Sequence, residues 1–116
     1  MTHENPIGLD GFEFVEFTSP APDALATLFE DMGFTHLRDH RSKNVRRYNQ
    51  GDINFILNMD PTGQAASFRA AHGPSANAMA FRVENAAQAL EEAVRRGAKP
   101  IIGPVGVMEL AIPAID

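Results

Sequence analysis

The sequence predicts an α+β fold in which a strand-helix-strand-strand-strand unit (βαβββ) is followed by the start of a second copy. A strand pattern runs directly into a helix pattern twice, at residues 9–33 and again at residues 77–97. Three further strand patterns separated by turn residues follow the first of these pairs. Repetition of a supersecondary unit indicates a duplicated module, here module one at about residues 9–58 and module two at about residues 77–116.

The composition is that of one ordinary domain over residues 1–116. A hydrophobic content of 44% is enough for a single core. The net charge of −5, from 15 acidic and 10 basic residues, argues against nucleic acid as a partner. The chain has no cysteine, which excludes disulfides and thiolate metal sites. Without a signal sequence or a long apolar run, we expect a cytoplasmic protein with no membrane partner.

The first strand is predicted at residues 9–18, and its side chains alternate between two faces. Phe12, Phe14 and Glu16 share one face, and Phe17 lies on the other. Because aromatic residues occur on both faces, we expect this strand to be covered on both sides.

A helix is predicted to follow the proline-rich residues 19–23. Proline is accepted in a first helical turn, and Asp23 there favours the positive end of the helix dipole. Gly33 is a typical residue just beyond a helix end. Apolar residues recur between these points at helical spacing, at Leu25, Leu28, Phe29 and Met32.

Three strands are predicted to complete the first module, at residues 34–40, 45–49 and 53–58. The last is an apolar run typical of a central strand, whereas the two before it are charged and more solvent-facing. Residues 64–73 are predicted to contain a short helical turn.

The second module is predicted to begin with a strand at residues 77–83. Asn85 is a good N-cap, Gln88 completes a pattern like a capping box, and Gly97 ends the helix. One more strand is predicted at residues 107–112. Since the first module has three strands after its helix, we expect this chain to be a fragment, or another chain to supply the missing strands.

Several segments together resemble the N-terminal domain of the 4-hydroxyphenylpyruvate dioxygenase family, within the vicinal oxygen chelate or glyoxalase-like superfamily. The longest are residues 4–17 (ENPIGLDGFEFVEF), 32–51 (MGFTHLRDHRSKNVRRYNQG) and 72–83 (HGPSANAMAFRV). Residues 53–58 and 97–100 extend the resemblance over nearly the whole chain.

The resemblance implies a parent enzyme that converts 4-hydroxyphenylpyruvate and dioxygen to homogentisate and carbon dioxide on a non-haem Fe(II). Two histidines and a carboxylate hold such an iron, and in the family they belong to the C-terminal domain. The first-strand positions of the two modules that correspond to superfamily ligands hold Phe12 and Ala78, which cannot bind a metal. We therefore predict no catalytic, cofactor-binding or metal-binding residue in this chain, and no cofactor.

Other candidate sites favour structural interpretations. His36 and His40, with Asp39, suggest a metal site, but four residues along a strand separate the two histidines by about 13 Å. We expect ordinary hairpin residues. Glu13 and Glu16 lie on opposite faces of their strand and make a poor acid-base pair.

Half of the basic residues fall on the hairpin of residues 34–49. They suggest a contact with an acidic surface, or a funnel for an anionic 2-oxoacid. A solvated edge strand protected by charge is the favoured interpretation. These residues are Arg38, Arg41, Lys43, Arg46 and Arg47.

Glycines and methionines give no sign of a site. The segment from Gly103 to Gly106 lacks the lysine and the strand-loop-helix setting of a phosphate loop. Met79 and Met108 are interpreted as core residues.

Three functions remain open. The first is the non-catalytic N-terminal domain of an Fe(II)-dependent dioxygenase, inactive alone, whose partners are the C-terminal catalytic domain and further copies in a homo-oligomer. A hydroxymandelate synthase would have an equivalent domain. The second is a separate, dimeric small-ligand-binding protein with an apolar cavity lined by Phe12, Phe14, Phe55 and Phe81. A small metalloenzyme is the third, and Phe12 and Ala78 disfavour it.

Overall fold

The computed structural model describes residues 4–39 and 43–101. In chain order the elements are β1 (Leu9–Thr18), α1 (Pro22–Asp31), β2 (Thr35–Asp39), β3 (Val45–Gln50), β4 (Ile53–Asn58), α2 (Gln64–His72), β5 (Ser75–Val83) and α3 (Ala86–Arg95). These elements confirm the predicted βαβββ unit and the strand-helix start of a second one. The predicted helical turn is a nine-residue helix, α2. The predicted strand at residues 107–112 lies outside the described residues.

The five strands form one mixed sheet in the order β2-β3-β4-β1-β5. β1 and β4 are parallel, whereas β3 is antiparallel to both of its neighbours, β2 and β4. β4 is therefore an interior strand and β2 an edge strand, as their apolar and charged sequences predict.

By internal contacts the described residues divide into a larger unit, Phe12–Ala80, and a smaller unit made of residues 4–11 and 81–101. The larger unit holds an aromatic core between α1 and one face of the sheet. Phe29 of α1 lies 5.2 Å from Phe17, 5.3 Å from Tyr48 and 5.1 Å from Phe55, measured between ring centroids. The buried members of this core are Ala26, Phe29, Phe34, Tyr48 and Leu57.

The opposite face of β1 corrects one expectation. Phe12 is 61% exposed, whereas Phe17 packs against α1. Two residues of the predicted helical stripe, Leu28 and Met32, are also exposed. The reason is that α1 covers only the Phe17 face of the strand, and it does so through a narrower stripe centred on Phe29.

In the smaller unit, hydrogen bonds connect the N-terminal segment to the start of α3. Gly8 O accepts a hydrogen bond of 3.0 Å from Glu84 N, and Gln88 Nε2 donates to Pro6 O at 3.3 Å. Asn85 caps the helix by accepting from Gln88 N at 3.0 Å, as predicted. Because the Gln88 side chain is directed to Pro6, the reciprocal bond of a capping box does not form. Each helix in the described ranges is too short or too polar to cross a lipid bilayer.

Candidate functional site

Five residues on five different strands form a line across the sheet. Glu16 of β1 lies opposite Ile56 of β4, and Ile56 lies opposite Arg47 of β3. Arg47 lies opposite Arg38 of β2. At the other end, Asn77 of β5 donates a hydrogen bond from Nδ2 to Glu16 Oε2 at 2.6 Å. We call these five residues the transverse row.

The transverse row lies on the sheet face away from α1. Residues directly opposite each other on paired strands project to the same face. Phe17, which follows Glu16, points toward Phe29 of α1, and successive residues of a strand point to opposite faces. Glu16 and the side chains aligned with it therefore project to the other side of the sheet.

Asn77 is the most buried polar residue of the row, at 8% exposure. Its Nδ2 donates to Glu16 Oε2 and, at 2.9 Å, to Gln64 Oε1, so two acceptors fix the orientation of the amide. The amide oxygen, Asn77 Oδ1, is buried and has no hydrogen-bond partner among the described residues. A buried acceptor without a donor lowers the stability of the fold, so this unpaired oxygen marks Asn77 as a candidate functional residue.

The carboxylate of Glu16 is half-buried and accepts through one oxygen. Asn77 Nδ2 and, at 3.4 Å, Asn58 Nδ2 both donate to Oε2. Within the described part of the chain, both of these donors bind Oε2, and Oε1 of the same carboxylate is a further acceptor. This end of the row presents hydrogen-bond acceptors and one negative charge.

The other end of the row is cationic and held in place. Arg47 donates from Nε and Nη2 to Asn54 Oδ1, at 3.2 and 2.9 Å. Asn54 also donates to Glu13 O at 3.3 Å, which ties it to β1. Arg38 lies directly opposite Arg47, so two positive side chains are neighbours on one face.

Of the two histidines suggested as metal ligands on the β2 hairpin, only His36 lies within the described residues. His36 Nε2 lies 2.8 Å from Asp39 Oδ1, and its ring stacks on Tyr48 at 5.1 Å. Strand alternation would place His36 and Asp39 on opposite faces, but a bulge between His36 and Arg38 brings them together. His40 lies outside the described residues.

The basic residues of this hairpin do not act as one cluster. Arg46 is 3.9 Å from Asp39, and its pKa is raised, first by a hydrogen bond with Tyr48. Arg47 and Arg38 belong to the transverse row. Arg41 lies outside the described residues, and Lys43 closes the turn by accepting at its carbonyl from Val45 N.

Helix α2 is anchored near the acidic end of the row. Arg69 donates from Nη1 to Thr18 Oγ1 at 2.9 Å and from Nη2 to the carbonyl of Asp60 at 2.5 Å. Gln64 Nε2 donates to the Asn77 carbonyl at 3.1 Å. These bonds connect the helix to β1 and β5, so α2 borders the row at the Glu16 end.

A groove of about 230 Å³ opens where β1 and β4 come together. It lies at residues 12–15 and 52–55, and it includes Phe12, Phe14 and Phe55 of the predicted apolar cavity. Phe81, the fourth residue of that prediction, belongs to the smaller unit. Phe55 also packs into the core beneath α1, so the groove is a surface feature continuous with the core.

The described residues do not fit an iron site. They contain no group of three histidine, cysteine or acidic side chains that could hold a metal. On β5 it is Asn77, not Ala78, that shares a face with Glu16. Phe12 has no ligating atom. The prediction that this chain holds no metal-binding, cofactor-binding or catalytic residue stays a prediction.

The predicted role of Met79 as a core residue is wrong, because its side chain is 61% exposed. Gly103, Gly106 and Met108 lie outside the described residues. Asn77 is the residue that sequence reasoning missed. The available signal was its position as a polar residue at the start of a face otherwise made of Met79 and Phe81.

Comparison with known proteins shows the family to which this chain is similar. Residues 3–116 match the family model described as hydroxyphenylpyruvate dioxygenase, HPPD, N-terminal. The 4-hydroxyphenylpyruvate dioxygenase of Pseudomonas sp. strain P.J. 874 is 52% identical over 97% of this chain. The chain spans 32% of the length of that relative.

Solved structures give the same fold. A xylose isomerase-like TIM barrel/4-hydroxyphenylpyruvate dioxygenase fusion protein matches 92% of this chain with a TM-score of 0.78 and 39% identity, and 18% of that protein is covered. Methylmalonyl-CoA epimerase from Mycobacterium tuberculosis matches the whole chain with a TM-score of 0.72, over 83% of its own length. At 16% identity, the epimerase is evidence for the fold alone.

Proposed function

This chain belongs to the hydroxyphenylpyruvate dioxygenase N-terminal family, and we propose that it is the non-catalytic N-terminal domain of an Fe(II)-dependent 4-hydroxyphenylpyruvate dioxygenase. The parent enzyme would convert 4-hydroxyphenylpyruvate and dioxygen to homogentisate and carbon dioxide, a step of tyrosine breakdown. The observation that carries the proposal is the match over residues 3–116, together with a dioxygenase relative about three times as long.

The proposal that another domain holds the iron depends on the chemistry of the metal ligands. A non-haem Fe(II) site of this kind needs two histidines and one carboxylate with open coordination positions. The described residues contain no cluster of three possible ligands. We therefore assign the iron and the chemical step to a C-terminal domain of the same polypeptide.

The domain's own role is structural. Its aromatic core and mixed sheet would support the iron-bearing domain and contribute contacts to a cytoplasmic homo-oligomer. The charged edge strand β2 protects one sheet edge from unspecific pairing.

The test compares residues 1–116 with the full-length polypeptide. Both are purified, loaded with Fe(II) and assayed for homogentisate by chromatography, with hydroxymandelate measured in the same run. We expect product only from the full-length protein, and homogentisate as that product. Homogentisate formation by residues 1–116 alone would refute the proposal, and hydroxymandelate would assign the domain to a synthase.

A fusion parent is a second candidate, because the fusion protein matches 92% of this chain at 39% identity. This candidate keeps the domain's role but predicts a longer polypeptide. The chain spans 32% of the dioxygenase relative and 18% of the fusion protein. The intact mass of the natural product therefore decides between them.

A further inference from the structure

We propose that the transverse row binds a small organic acid that carries a carboxylate at one end and a hydrogen-bond donor, an ammonium or hydroxyl group, at the other. The carboxylate lies between Arg38 and Arg47. The donor lies at Glu16 and Asn77, and the body of the ligand crosses Ile56. This binding is separate from the dioxygenase chemistry.

The first argument is the arginine pair. Like charges directly opposite each other on neighbouring strands are destabilising, yet Arg38 and Arg47 are partners in the β2-β3 register. An anion between two guanidinium groups turns that repulsion into two charge-assisted interactions. A planar carboxylate matches the donor geometry of arginine.

The second argument is that Arg47 is already positioned. Its Nε and Nη2 both donate to Asn54 Oδ1. Asn54 Oδ1 also accepts from Asn49 Nδ2 at 3.0 Å. These bonds restrict the rotamers of Arg47 before a ligand arrives, and they use Nε and Nη2 but not Nη1. A side chain fixed in advance loses less conformational entropy on binding.

The third argument is the buried acceptor at the opposite end. Asn77 is more than nine-tenths buried, and its Oδ1 has no donor among the described residues. Glu16 Oε1 lies on the same carboxylate that Asn77 Nδ2 holds through Oε2. The half-buried carboxylate of Glu16 and the unpaired amide oxygen of Asn77 lie on hydrogen-bonded residues, and in the described part of the chain this end of the row lacks a donor that an ammonium or hydroxyl group supplies.

The fourth argument is spacing. Arg47 and Glu16 both lie opposite Ile56, one strand to either side. Neighbouring strands are about 4.8 Å apart, so the two backbones are separated by roughly 10 Å. The half-buried Ile56 between them provides apolar contact. The row therefore selects an elongated ligand with polar ends and an apolar middle.

The probes are 6-aminohexanoate, which has both ends, hexanoate, which lacks the donor, and hexylamine, which lacks the carboxylate. Each is titrated into the isotope-labelled chain while the Ile56 methyl, Asn77 amide and Arg47 Nε signals are followed by NMR. We expect saturable shifts with 6-aminohexanoate. We expect hexanoate and hexylamine to bind at least about 10-fold more weakly, the ratio that a 1.4 kcal/mol interaction gives.

Variants separate the two ends. Arg47→Gln is expected to weaken the binding of 6-aminohexanoate and hexanoate and to leave the binding of hexylamine unchanged. Arg38→Gln, at an exposed position, is expected to have the same effect with less risk to folding. Glu16→Gln is expected to lower the affinity for 6-aminohexanoate to that for hexanoate. Arg95→Gln on α3 removes one positive charge elsewhere and is the matched control.

Three results would overturn the proposal. They are shifts that grow linearly without saturation, equal affinity for all three probes, and equal weakening by Arg95→Gln and Arg47→Gln. Each is consistent with unspecific attraction of ions to a charged surface. Circular dichroism of every variant verifies that the fold is retained.

Discussion

The amide of Asn77 donates a 2.6 Å hydrogen bond to the carboxylate of Glu16 and so joins two strands whose residues are 61 positions apart in the chain. The bond involves an ionised acceptor and a donor that is largely buried. Such bonds contribute more to stability than neutral surface ones.

Replacing Asn77 with alanine tests this bond. We expect Asn77→Ala to lower the free energy of unfolding by about 1–3 kcal/mol, because the half-buried carboxylate of Glu16 loses its shortest hydrogen bond. Urea denaturation followed by circular dichroism measures the change. Met79→Ala, at a 61% exposed position of the same strand, is the control and should change stability by less than about 0.5 kcal/mol.

Arg69→Lys tests the anchor of helix α2. Lysine keeps the charge but cannot serve Thr18 Oγ1 and the Asp60 carbonyl with a planar fork, so we expect a loss of about 1–3 kcal/mol. Amide hydrogen exchange should become faster in α2 before it does in β4. The exposed Arg38→Lys is the control, and equal effects of both changes would contradict the anchor.

Gly33→Ala and Gly97→Ala form a matched pair. Both glycines have positive φ angles, +100° and +109°, so alanine strains the backbone at each site by about 1–2 kcal/mol. At Gly33 a Cβ would also lie 2.6 Å from Gln50 Nε2, which donates to Met32 O. We expect Gly33→Ala to cost about 1 kcal/mol more, the value of that hydrogen bond.

Thermal or urea unfolding gives the difference between the two glycine variants. In a Gln50→Ala background the extra cost should disappear, because the side chain that must move is absent. An unchanged difference there would assign the cost to the backbone instead.

The lowered pKa of Glu92 leads us to expect a stability that depends on pH. Hydrogen bonds from Arg95 and then Arg96 hold the pKa of this carboxyl below its ordinary value of 4.5. Because the folded pKa is the lower one, the contribution is fully present above the unfolded pKa. It is lost as pH falls through the folded pKa.

Stability curves from pH 7 to acid, measured for the wild type and Glu92→Gln, test this assignment. The two curves should differ at neutral pH and converge in acid, with a smaller difference in high salt. Glu91→Gln changes the neighbouring exposed carboxylate and is the control. A difference that persists at the acid end would exclude the ion pairs as its cause.

Periodicity was enough to predict most of the elements. β1 and β4 have the predicted limits, residues 9–18 and 53–58, because strong alternation or an apolar run is bounded by turn residues on both sides. The cap at Asn85 was also predictable, since it depends on local spacing alone. Local patterns predict local geometry well.

The site was less predictable because it depends on register between distant strands. The transverse row exists only because Glu16 lies opposite Ile56 and Ile56 opposite Arg47. No local pattern specifies these partners. The bulge that brings His36 to Asp39 likewise breaks the alternation on which face predictions depend.

The position of β1 between β4 and β5 affects how the chain is made. Thr18 donates to the Asn58 carbonyl, a partner synthesised 40 residues later. At about 5–20 residues per second of translation, the aromatic β1 waits about 2–8 s for its parallel neighbour. During that interval Phe17, which packs against Phe55 of β4 in the folded chain, is available to chaperones or to other nascent chains, so slowing synthesis before β4 should increase misassembly.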